Sequence, residues 1–437
     1  MDLIDDYVKI VERYSDAPKI FLEASAYHNV SALLGRFFRS TNFAGGGDTK
    51  PNIWIIISSI PARTRRSTVA KYSAWVYDKV LQGFFMNTFG LPKDKAYFKA
   101  SSTIIEEGTP EGITDHIEDT GMKTFSIQST EFGSVLQKMS AKEYQLGIST
   151  LLSKMYSGEG GTMMLSGRNR DKPEERIRTL PKGLYVTMFC GMQEPSLYIT
   201  PDMARQGILR RIILCYFDVN EMTNWLKPLS VNSDNIFSEL RLLIDEYKTR
   251  MIQYRDWSQL KRPYQINATF VPRAMDYINK YAEKDDYELK VESNLYNIYK
   301  QSYWEHLSKL SILRSIARDG VKMIAKEYRA VITLDDVQKA QRFLDEATKH
   351  SKEIMFNLGR KDEPLRSSRD PLNRIFQLIK ESGSEGIQRS KLYRKVNMKA
   401  GQMGEFIRTL EIQERIITKL PESSSGRIPI TYVATKV

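Results

Sequence analysis

A stretch rich in hydroxyl groups and arginines follows an apolar run at 53–57 and ends in Ser67 and Thr68. The run, Ile-Trp-Ile-Ile-Ile, predicts a strand buried on both faces, and the residues from Ser67 predict a helix that extends towards Leu81. Loops between a strand and a helix bind polyphosphate through main-chain N–H groups, a cation for the β- and γ-phosphates and a hydroxyl for Mg²⁺. With Ser67 as that hydroxyl, Arg66 takes the position of the cation.

The stretch departs from the common phosphate-loop pattern at three positions. Ile60 and Arg65 stand where that pattern has glycine, and Arg66 stands where it has lysine. Arginine grips phosphate through a planar fork rather than as a point charge, so this exchange often lowers catalysis. An ordinary connection with solvated arginines is the alternative to a nucleotide site. The residues predicted to bind nucleotide are Ser59, Pro61, Ala62, Arg63, Thr64, Arg65, Arg66, Ser67 and Thr68, with Thr130 from a later strand.

Two later predicted strands end in side chains that suit nucleotide chemistry. The strand at 123–129 leads to Thr130 and Glu131, and a glutamate at such a strand end polarises the attacking water. Thr130 replaces the aspartate that usually holds Mg²⁺ there, and we expect the turn that leaves the strand at 53–57 to lie beside the ends of the strands that carry Glu131 and Gln193, around a gap the size of a nucleotide. The strand at 184–191 leads to Gln193, which is placed to sense a γ-phosphate. The alternative for Glu131 is an ordinary surface carboxylate.

Composition limits the class of protein. The chain has 437 residues, is 41% hydrophobic and carries 65 Lys and Arg against 53 Asp and Glu, a formal charge of +12. This length suits two or three globular domains, and the charge favours a polyanionic partner such as nucleic acid. Cys190 and Cys215 both fall in predicted strands, so we expect no disulfide framework and a reducing, cytoplasmic interior.

Other sequence features predict what the protein does not do. The sequence shows neither a signal peptide nor an apolar span of about 18 residues, which predicts that it does not cross a membrane. Its four histidines are scattered, so a zinc site is not expected.

The apolar pattern predicts four structured parts and one linker. They are a helical cover of the core at 1–50, the nucleotide-binding core at 51–220, a region of helices throughout at 221–358, a linker at 359–369 and a C-terminal domain at 370–437.

Three predicted elements fill the core between the motifs, a strand at 97–101, a helix at 110–117 and one amphipathic helix at 134–155. The last leads into a glycine-flanked basic segment at 157–178. A solvated hairpin and a DNA-gripping loop are its two interpretations, because clustered cations neutralise phosphates. Its candidate DNA contacts are Arg168, Arg170 and Lys172.

The C-terminal domain predicts three helices followed by a two-stranded hairpin, which is the order of a winged helix. Residues 369–437 contain 13 Lys and Arg against 7 Asp and Glu, so this part is strongly basic. Winged helices bind DNA or dock proteins, and both roles stay open. The candidate DNA contacts are Arg389, Lys391, Arg394, Lys395, Lys399, Gln402 and Arg408 from the second and third helices, and Arg427 from the wing.

Taken in order, four motifs resemble those of the RecA-like and AAA-like ATPases of mobile genetic elements, the replicative helicases and primase-associated ATPases of plasmids and viruses. Where that family often has Arg-Lys-Ser-Thr, this chain has Arg-Arg-Ser-Thr at 65–68. The others are Glu-Phe-Gly at 131–133, Gln-Glu-Pro at 193–195, one residue longer than the family's Gln-Pro, and a Gly-x-x-x-Arg turn at 207–211. The resemblance covers residues 20–350.

The resemblance implies an α/β fold, with a RecA-like or AAA-like P-loop NTPase core, a mostly parallel sheet, a helical lid and a C-terminal winged-helix domain. It implies that Arg66 holds phosphate, that Ser67 ligates the metal and that Glu131 is the catalytic base, with ATP and Mg²⁺ as cofactors. Gln193 is implied as a sensor and Arg211 as a finger or sensor arginine. A finger reaches the nucleotide of the next subunit, so a homo-oligomeric ring such as a hexamer is implied.

Three functions are therefore alternatives. The first is a nucleotide-dependent DNA helicase or translocase that replicates a mobile genetic element as a ring. The second is a DNA-binding replication factor that keeps the P-loop fold without ATP turnover. The third is an adaptor that binds proteins and no DNA.

Overall fold

The computed structural model of the chain describes residues 1–40, 49–59, 64–106, 110–140, 145–164, 177–193, 195, 199, 207–218, 234–259, 265–289, 295–351, 353–355, 371–396, 403–404, 407–408, 410–411, 416–419 and 430–434. Contacts within the chain divide it into two compact units, Met1–Phe356 and Asn357–Val437. None of the described helices is both long and apolar enough to span a membrane.

Helices and strands alternate along the first unit, which makes it a mixed α/β structure. Its elements are, in chain order, α1 (Leu3–Val11), α2 (Lys19–Leu34), β1 (Phe38–Arg39), β2 (Trp54–Ser58), α3 (Arg66–Phe89), α4 (Lys93–Ser101), β3 (Ile104–Ile105), α5 (Pro110–Thr120), β4 (Thr124–Ser129), α6 (Phe132–Ser140), α7 (Gln145–Ser157), β5 (Gly161–Met164), β6 (Ile177–Leu180), β7 (Tyr185–Met192), β8 (Ile212–Tyr216), α8 (Asp234–Gln259), β9 (Ile266–Phe270), α9 (Pro272–Leu289), α10 (Leu295–Lys300), α11 (Tyr303–Ala317), β10 (Val321–Ile324), β11 (Glu327–Ile332) and α12 (Leu334–Thr348).

The central sheet has five parallel strands in the order β3-β4-β7-β2-β8. Every residue of β2 and of β7 is buried. Trp54 of β2 pairs with Met188 on one side and with Ile212 on the other. The unbroken apolar run therefore forms a central strand, as its two-sided hydrophobicity predicts.

The chain reverses direction across this sheet at β2 and β7. After β2 it crosses to the edge strand β3, returns through β4 and β7 to the side of β2, and then crosses to β8. In parallel α/β sheets, ligands bind outside the carboxyl ends of the strands at such a reversal. The loops after β2 and β7 thus meet where this fold favours a ligand.

One face of the central sheet lies on the main apolar core. Ile53, Ile55 and Ile57 point into that core, which also contains residues of α1, α2, α3, α8, α11 and α12. On the opposite face, the Trp54 ring meets the Tyr156 ring of α7 edge-on, with the centroids 5.2 Å apart. Cys190 and Cys215 are buried free thiols, in agreement with the absence of a disulfide framework expected from the sequence.

A second sheet, in the order β1-β9-β11-β10, corrects the prediction of helices throughout 221–358. Strand β9 pairs in parallel with β1 and β11, and β10 pairs antiparallel with β11. Alternate residues of β9 are buried, a pattern that indicates a strand with one face on the core. The helical interpretation failed because these strands are short and stand between long helices.

The strand predicted at 97–101 is also wrong, because these residues end α4. Ala96 and Ala100 are buried, whereas Tyr97 and Phe98 are 56% and 75% exposed. Burial four residues apart is the spacing of one helix face. The strand of this region is β3, which follows the helix.

The other helices of the core are found where the sequence predicts them. The residues predicted as a helix at 110–117 lie in α5. Of the helix predicted at 134–155, the described residues lie in α6 and α7, and 141–144 lie outside the described residues. The helix after the loop is longer than predicted, since α3 continues to Phe89 and ends at Gly90 in the left-handed conformation.

The second unit contains α13 (Pro371–Lys380), β12 (Ile387–Gln388), α14 (Arg389–Val396), β13 (Ile416–Lys419) and β14 (Thr431–Ala434). Further helical residues lie at 403–404, 407–408 and 410–411. The antiparallel sheet has the order β12-β14-β13, so the predicted hairpin gains a third short strand. Its separate core includes Ile375, Leu392 and Tyr432.

Candidate nucleotide site

Two hydrogen bonds join the end of β2 and the start of α3 to the end of β7. The Ser58 hydroxyl donates to the main-chain carbonyl of Gln193, and the Arg66 guanidinium donates to the main-chain carbonyl of Met192. Arg66 is the first residue of α3. The predicted phosphate cation therefore lies against the end of the strand that carries the predicted sensor.

The base of the predicted phosphate loop is closed by a contact between two hydroxyl groups. Ser59 and Thr64 are both buried, and their side chains are hydrogen-bonded to each other. Pro61, Ala62 and Arg63 lie outside the described residues. The two ends of the loop are thus held together by the fold.

Arg65 adopts a left-handed backbone conformation immediately before α3, with φ 52° and ψ 26°. The common phosphate-loop pattern has glycine here, and glycine takes this conformation without steric cost. For other residues it costs about 1 kcal/mol or more. The Arg65 guanidinium pairs with Asp16 at 2.9 Å, and the Asp16 side chain is only 7% exposed. The side chain of Arg65, predicted to bind nucleotide, is therefore held by Asp16.

The amino end of α3 opens towards the loop. The amide groups of Thr68 and Val69 donate to the Arg65 carbonyl at 2.9 and 3.0 Å. Ser67, the predicted metal ligand, is exposed, and Thr68 is half-buried. The amino end of a helix carries partial positive charge, which favours an anion at this position.

The strand that leads to Glu131 does not neighbour β2. Strand β7 lies between β4 and β2, so Gln193 follows the adjacent strand and Glu131 follows the next one out. Of the two strand ends expected beside the phosphate loop, that of β7 contacts Ser58 and Arg66, whereas that of β4 is separated from β2 by β7. This order arises because the chain crosses to the edge strand and reaches β4 before it returns to the side of β2.

Gly191 allows the ends of β4 and β7 to approach each other closely. A Cβ atom on Gly191 would lie 2.9 Å from the Thr130 carbonyl oxygen, closer than real Cβ contacts. Sequence reasoning did not single out Gly191. The available signal was a glycine inside an apolar strand, which often marks a close approach of another backbone.

Glu131 begins the turn into α6 and lines a cleft. Its amide donates to Ser129 Oγ at 3.3 Å, and its carbonyl accepts from Ser134 Oγ at 2.9 Å, while the residue itself is exposed. The cleft has a volume of about 1260 Å³ and is bordered by Lys71 and Asp78 of α3. It is large enough for a nucleotide. Arg66 and Ser67, one turn earlier in α3, lie outside the lining of this cleft.

Arg211 lies at the opposite edge of the sheet from the phosphate loop. It directly precedes Ile212, which pairs with Trp54 at the start of β2, whereas Arg66 follows the end of β2. The Arg211 guanidinium donates to the Gly207 carbonyl at 2.8 Å and lies 5.8 Å from the Tyr156 ring centroid. Within one chain, the fold therefore separates Arg211 from the other predicted catalytic residues.

Comparison with known proteins leaves the geometry as the basis for assigning a function. No protein-family model matches the chain, and no curated protein matches it significantly.

An ion pair between a buried lysine and a partly exposed glutamate lies in the region around Arg211. The Lys309 ammonium lies 2.9 Å from Glu305 Oε1, and it donates to the Tyr156 hydroxyl at 2.7 Å and to Asn52 Oδ1 at 3.2 Å. Burial opposes the ionisation of Glu305, but the adjacent ammonium outweighs it and lowers the pKa of Glu305 to about 2. Burial lowers the pKa of Lys309, although Glu305 opposes this shift. The pair was not predicted from the sequence.

A buried histidine connects the helices to the strands that carry the candidate site. His28 Nε2 lies 2.9 Å from Ser126 Oγ of β4, and Nδ1 lies 3.3 Å from Ser73 Oγ of α3. Its ring stacks on Phe189 of β7 with the centroids 5.2 Å apart. Burial lowers the pKa of His28 to about 3, so the ring is neutral at physiological pH.

The described basic residues of the second unit that were predicted to contact DNA are exposed. They are Arg389, Lys391, Arg394 and Lys395 on α14, and Arg408. Leu392 and Val396 of the same helix are buried, so α14 has a basic outer face and an apolar inner face. Lys399, Gln402 and Arg427 lie outside the described residues, as do Arg168, Arg170 and Lys172 of the basic segment in the first unit.

Proposed function

We propose that the chain is a nucleotide-dependent DNA helicase or translocase that replicates a mobile genetic element and acts as an oligomeric ring. ATP and Mg²⁺ bind at the carboxyl edge of the central sheet, in a core of the P-loop type. The observation that carries this proposal is the position of Arg66, whose guanidinium lies at the start of α3 and against the end of β7. A triphosphate between these two loops meets a cation, a helix amino end and the residue after β7 together.

Each of the predicted residues has a role at that edge. Arg66 binds the β- and γ-phosphates through its fork, and Ser67 supplies the hydroxyl for Mg²⁺. Gln193 contacts the γ-phosphate from the adjacent strand end. Glu131 polarises the attacking water from the cleft beside α3.

The position of Arg211 supports a role between subunits. A sensor for its own nucleotide would have to reach across the length of β8, whereas a finger acts on the nucleotide of the next subunit. Such a finger stabilises the charge of the transition state and makes the ring necessary for turnover. The second unit, as a winged helix, contacts DNA through the basic face of α14.

One observation favours a second function, a DNA-binding replication factor of the same fold without ATP turnover. The Arg66 guanidinium already donates to the Met192 carbonyl, and the Arg65 guanidinium is paired with Asp16. A nucleotide that used Arg66 would have to displace the bond to Met192. This function predicts DNA binding that is independent of nucleotide, falls steeply with salt and is insensitive to Arg66→Ala.

Equilibrium binding of ATP tests the proposed site. We expect Arg66→Ala to weaken ATP binding at least tenfold and Arg66→Lys to retain much of it, because the charge at the phosphates is kept. Lys79→Gln is the matched control, since Lys79 is a half-buried cation later in α3 whose carboxylate partner is Asp78. Failure of the wild-type protein to bind ATP, or equal binding by Arg66→Ala, would contradict the proposal.

A further inference from the structure

A second cavity lies at the amino edge of the central sheet, at the opposite end of the strands from Ser58 and Gln193. It has a volume of about 550 Å³. Lys123 and Thr124 at the start of β4 and Tyr185 at the start of β7 line it. The residues of the proposed nucleotide site are not part of its lining.

The lining of this cavity is basic without acidic residues. Arg36, Lys50, Lys123 and Arg255 line it, and no Asp or Glu is found among its described lining residues. Arg255 pairs with Asp256, which lies outside the lining, at 2.6 Å. Cations gathered in this way raise the local positive potential and favour a multivalent anion.

Arg36 is half-buried in the wall of this cavity. Its guanidinium carbon lies 4.6 Å from the Phe37 ring centroid and 5.6 Å from that of Phe84. Its Nε is buried and has no hydrogen-bond partner, and no carboxylate pairs with the guanidinium anywhere in the described residues. Burial lowers the pKa of Arg36 to about 10, which leaves it charged at neutral pH. A half-buried charge with no carboxylate partner among the described residues is costly, so an anion in the cavity would stabilise it.

Close packing between Gly35 and Tyr185 fixes the main chain next to Arg36. A Cβ on the preceding Gly35 would lie 2.1 Å from the Tyr185 hydroxyl oxygen, so the small residue lets Tyr185 form the wall of the cavity. The Tyr185 hydroxyl donates to the Ser31 carbonyl at 3.1 Å. Arg36 is therefore fixed by packing and differs from a flexible surface lysine.

Positive charge continues beyond this cavity. Lys50 also lines a neighbouring cavity of about 530 Å³, in which the cations Arg210, Arg211 and Lys309 outnumber the carboxylates Glu159 and Glu305. The cations at the amino edge thus extend over more than the size of one phosphate group. This extent favours a ligand with several linked phosphates.

We propose that the cavity around Arg36 binds a multivalent phosphate anion, whose phosphates are those of a nucleic acid strand or of a free oligophosphate. The planar guanidinium fork donates hydrogen bonds to two oxygens of one phosphate, and Lys50, Lys123 and Arg255 neutralise the remaining charge. This site is separate from the proposed nucleotide site and stands or falls independently of it.

Thermal unfolding in the presence of sodium tripolyphosphate tests this site, with sodium chloride used to hold the ionic strength constant. A ligand that binds only the folded state raises the unfolding midpoint. We expect this rise in the wild-type protein, and an apparent affinity at least tenfold weaker in Arg36→Gln. Lys182→Gln, which changes an exposed lysine beside the cavity, should keep the rise.

The unliganded variant gives an independent readout. Because Arg36→Gln removes a half-buried charge that pairs with no carboxylate among the described residues, its midpoint without phosphate should equal or exceed that of the wild type. If this variant does not fold, Arg36→Lys, which keeps the charge without the fork, should fold and show weakened tripolyphosphate binding.

A short single-stranded oligonucleotide in the same assay distinguishes the two sources of phosphate. Stabilisation through Arg36 by the oligonucleotide alone assigns the site to nucleic acid, and stabilisation by tripolyphosphate alone assigns it to a free oligophosphate. The proposal is overturned if neither probe stabilises the protein, or if Arg36→Gln responds as the wild type does.

Discussion

Ser58 and Gln193 are joined by a hydrogen bond from the Ser58 hydroxyl to the Gln193 main-chain carbonyl, across the ends of the adjacent strands β2 and β7. This bond fixes the entrance of the loop at 60–63 against the residue proposed to contact the γ-phosphate. On the other side of the loop, Arg66 is bonded to Met192. The relative positions of the end of β2, the start of α3 and the end of β7 therefore depend on how closely the strand ends pack, and the proposed nucleotide needs all three.

Gly191→Ala should disturb this packing. The new methyl group would meet the Thr130 carbonyl, which belongs to the backbone and cannot swing away, so we expect the free energy of unfolding to fall by about 1–3 kcal/mol. Urea unfolding measures the change. Gly83→Ala is the control, because its methyl group would meet the flexible end of Lys248 and the substitution favours the helix. Equal stability of both variants would contradict the proposed close approach.

The stability of the protein should fall in acid because of buried histidines. Burial lowers the pKa of His28 to about 3 and that of His306 to about 4, below the ordinary value of 6.5. The unfolded chain therefore binds protons that the folded chain does not, and stability present above pH 6.5 is lost as the pH falls towards these values.

Urea unfolding between pH 7 and pH 4 measures this effect. Each buried histidine contributes a slope that approaches about 1.4 kcal/mol per pH unit between its folded pKa and 6.5. Glutamine at position 28 keeps a polar group near Ser126 but does not titrate. The slope of the free energy of unfolding against pH in His28→Gln should therefore correspond to about one proton fewer than in the wild type. An unchanged slope in His28→Gln would contradict the lowered pKa of His28, because His28 would then bind a proton as readily in the folded state as in the unfolded state.

Removal of the Glu305 charge should destabilise the folded protein, because it leaves the buried ammonium of Lys309 without this carboxylate. Lys309 is 3% exposed, and Glu305 is its carboxylate partner among the described residues. We expect Glu305→Gln to lower the free energy of unfolding by about 1–3 kcal/mol, less than for a fully buried pair because Glu305 is 46% exposed. Adding Lys309→Met should recover part of the loss.

A surface ion pair provides the control for this measurement. Asp335 is 65% exposed and lies 3.5 Å from Lys339. Asp335→Asn should change the free energy of unfolding by no more than about 0.5 kcal/mol. An equally small effect of Glu305→Gln would show that the Glu305 charge is not needed to stabilise the buried Lys309 ammonium in the folded protein.

The sequence predicts the elements of the sheet better than their arrangement. Strands β2 and β7 are recognisable because burial on both faces demands continuous apolar residues. The order of the strands is set by crossovers between distant segments, so the separation of Glu131 from β2 by β7 leaves no local signal. Tyr97 and Phe98 have strand propensity and favour a strand at 97–101. The structure has helix α4 there instead, with Ala96 and Ala100 on its buried face.

The candidate site shows the same division. The motif positions place Arg66 and Ser67 at the start of α3 and Gln193 after β7, and the structure has them there. The pairing of Arg65 with Asp16 joins residues far apart in the chain, and the sequence gives no indication of it. Arg211 lies at the amino edge because of how β8 pairs with β2, and this register cannot be read from the sequence.

The basic face of α14 should determine DNA affinity if the second unit binds DNA. We expect Arg394→Gln combined with Lys395→Gln to weaken binding to all sequences similarly, and to reduce the slope of log affinity against log salt by about two. Fluorescence anisotropy with labelled duplex measures both. Lys380→Gln, an exposed lysine of α13, is the control. Unchanged DNA affinity in the double variant would favour the protein-docking role instead.

ATP turnover with and without DNA tests the central proposal most directly, in the wild-type protein and in Glu131→Gln, with the mass of the assembly determined in the presence of nucleotide. We expect DNA to stimulate turnover by a ring. Glu131→Gln should lower turnover about a hundredfold or more while ATP binding is kept, because the base acts on water and does not hold the nucleotide. Absence of turnover in the wild type, or an undiminished rate in Glu131→Gln, would contradict the proposed motor.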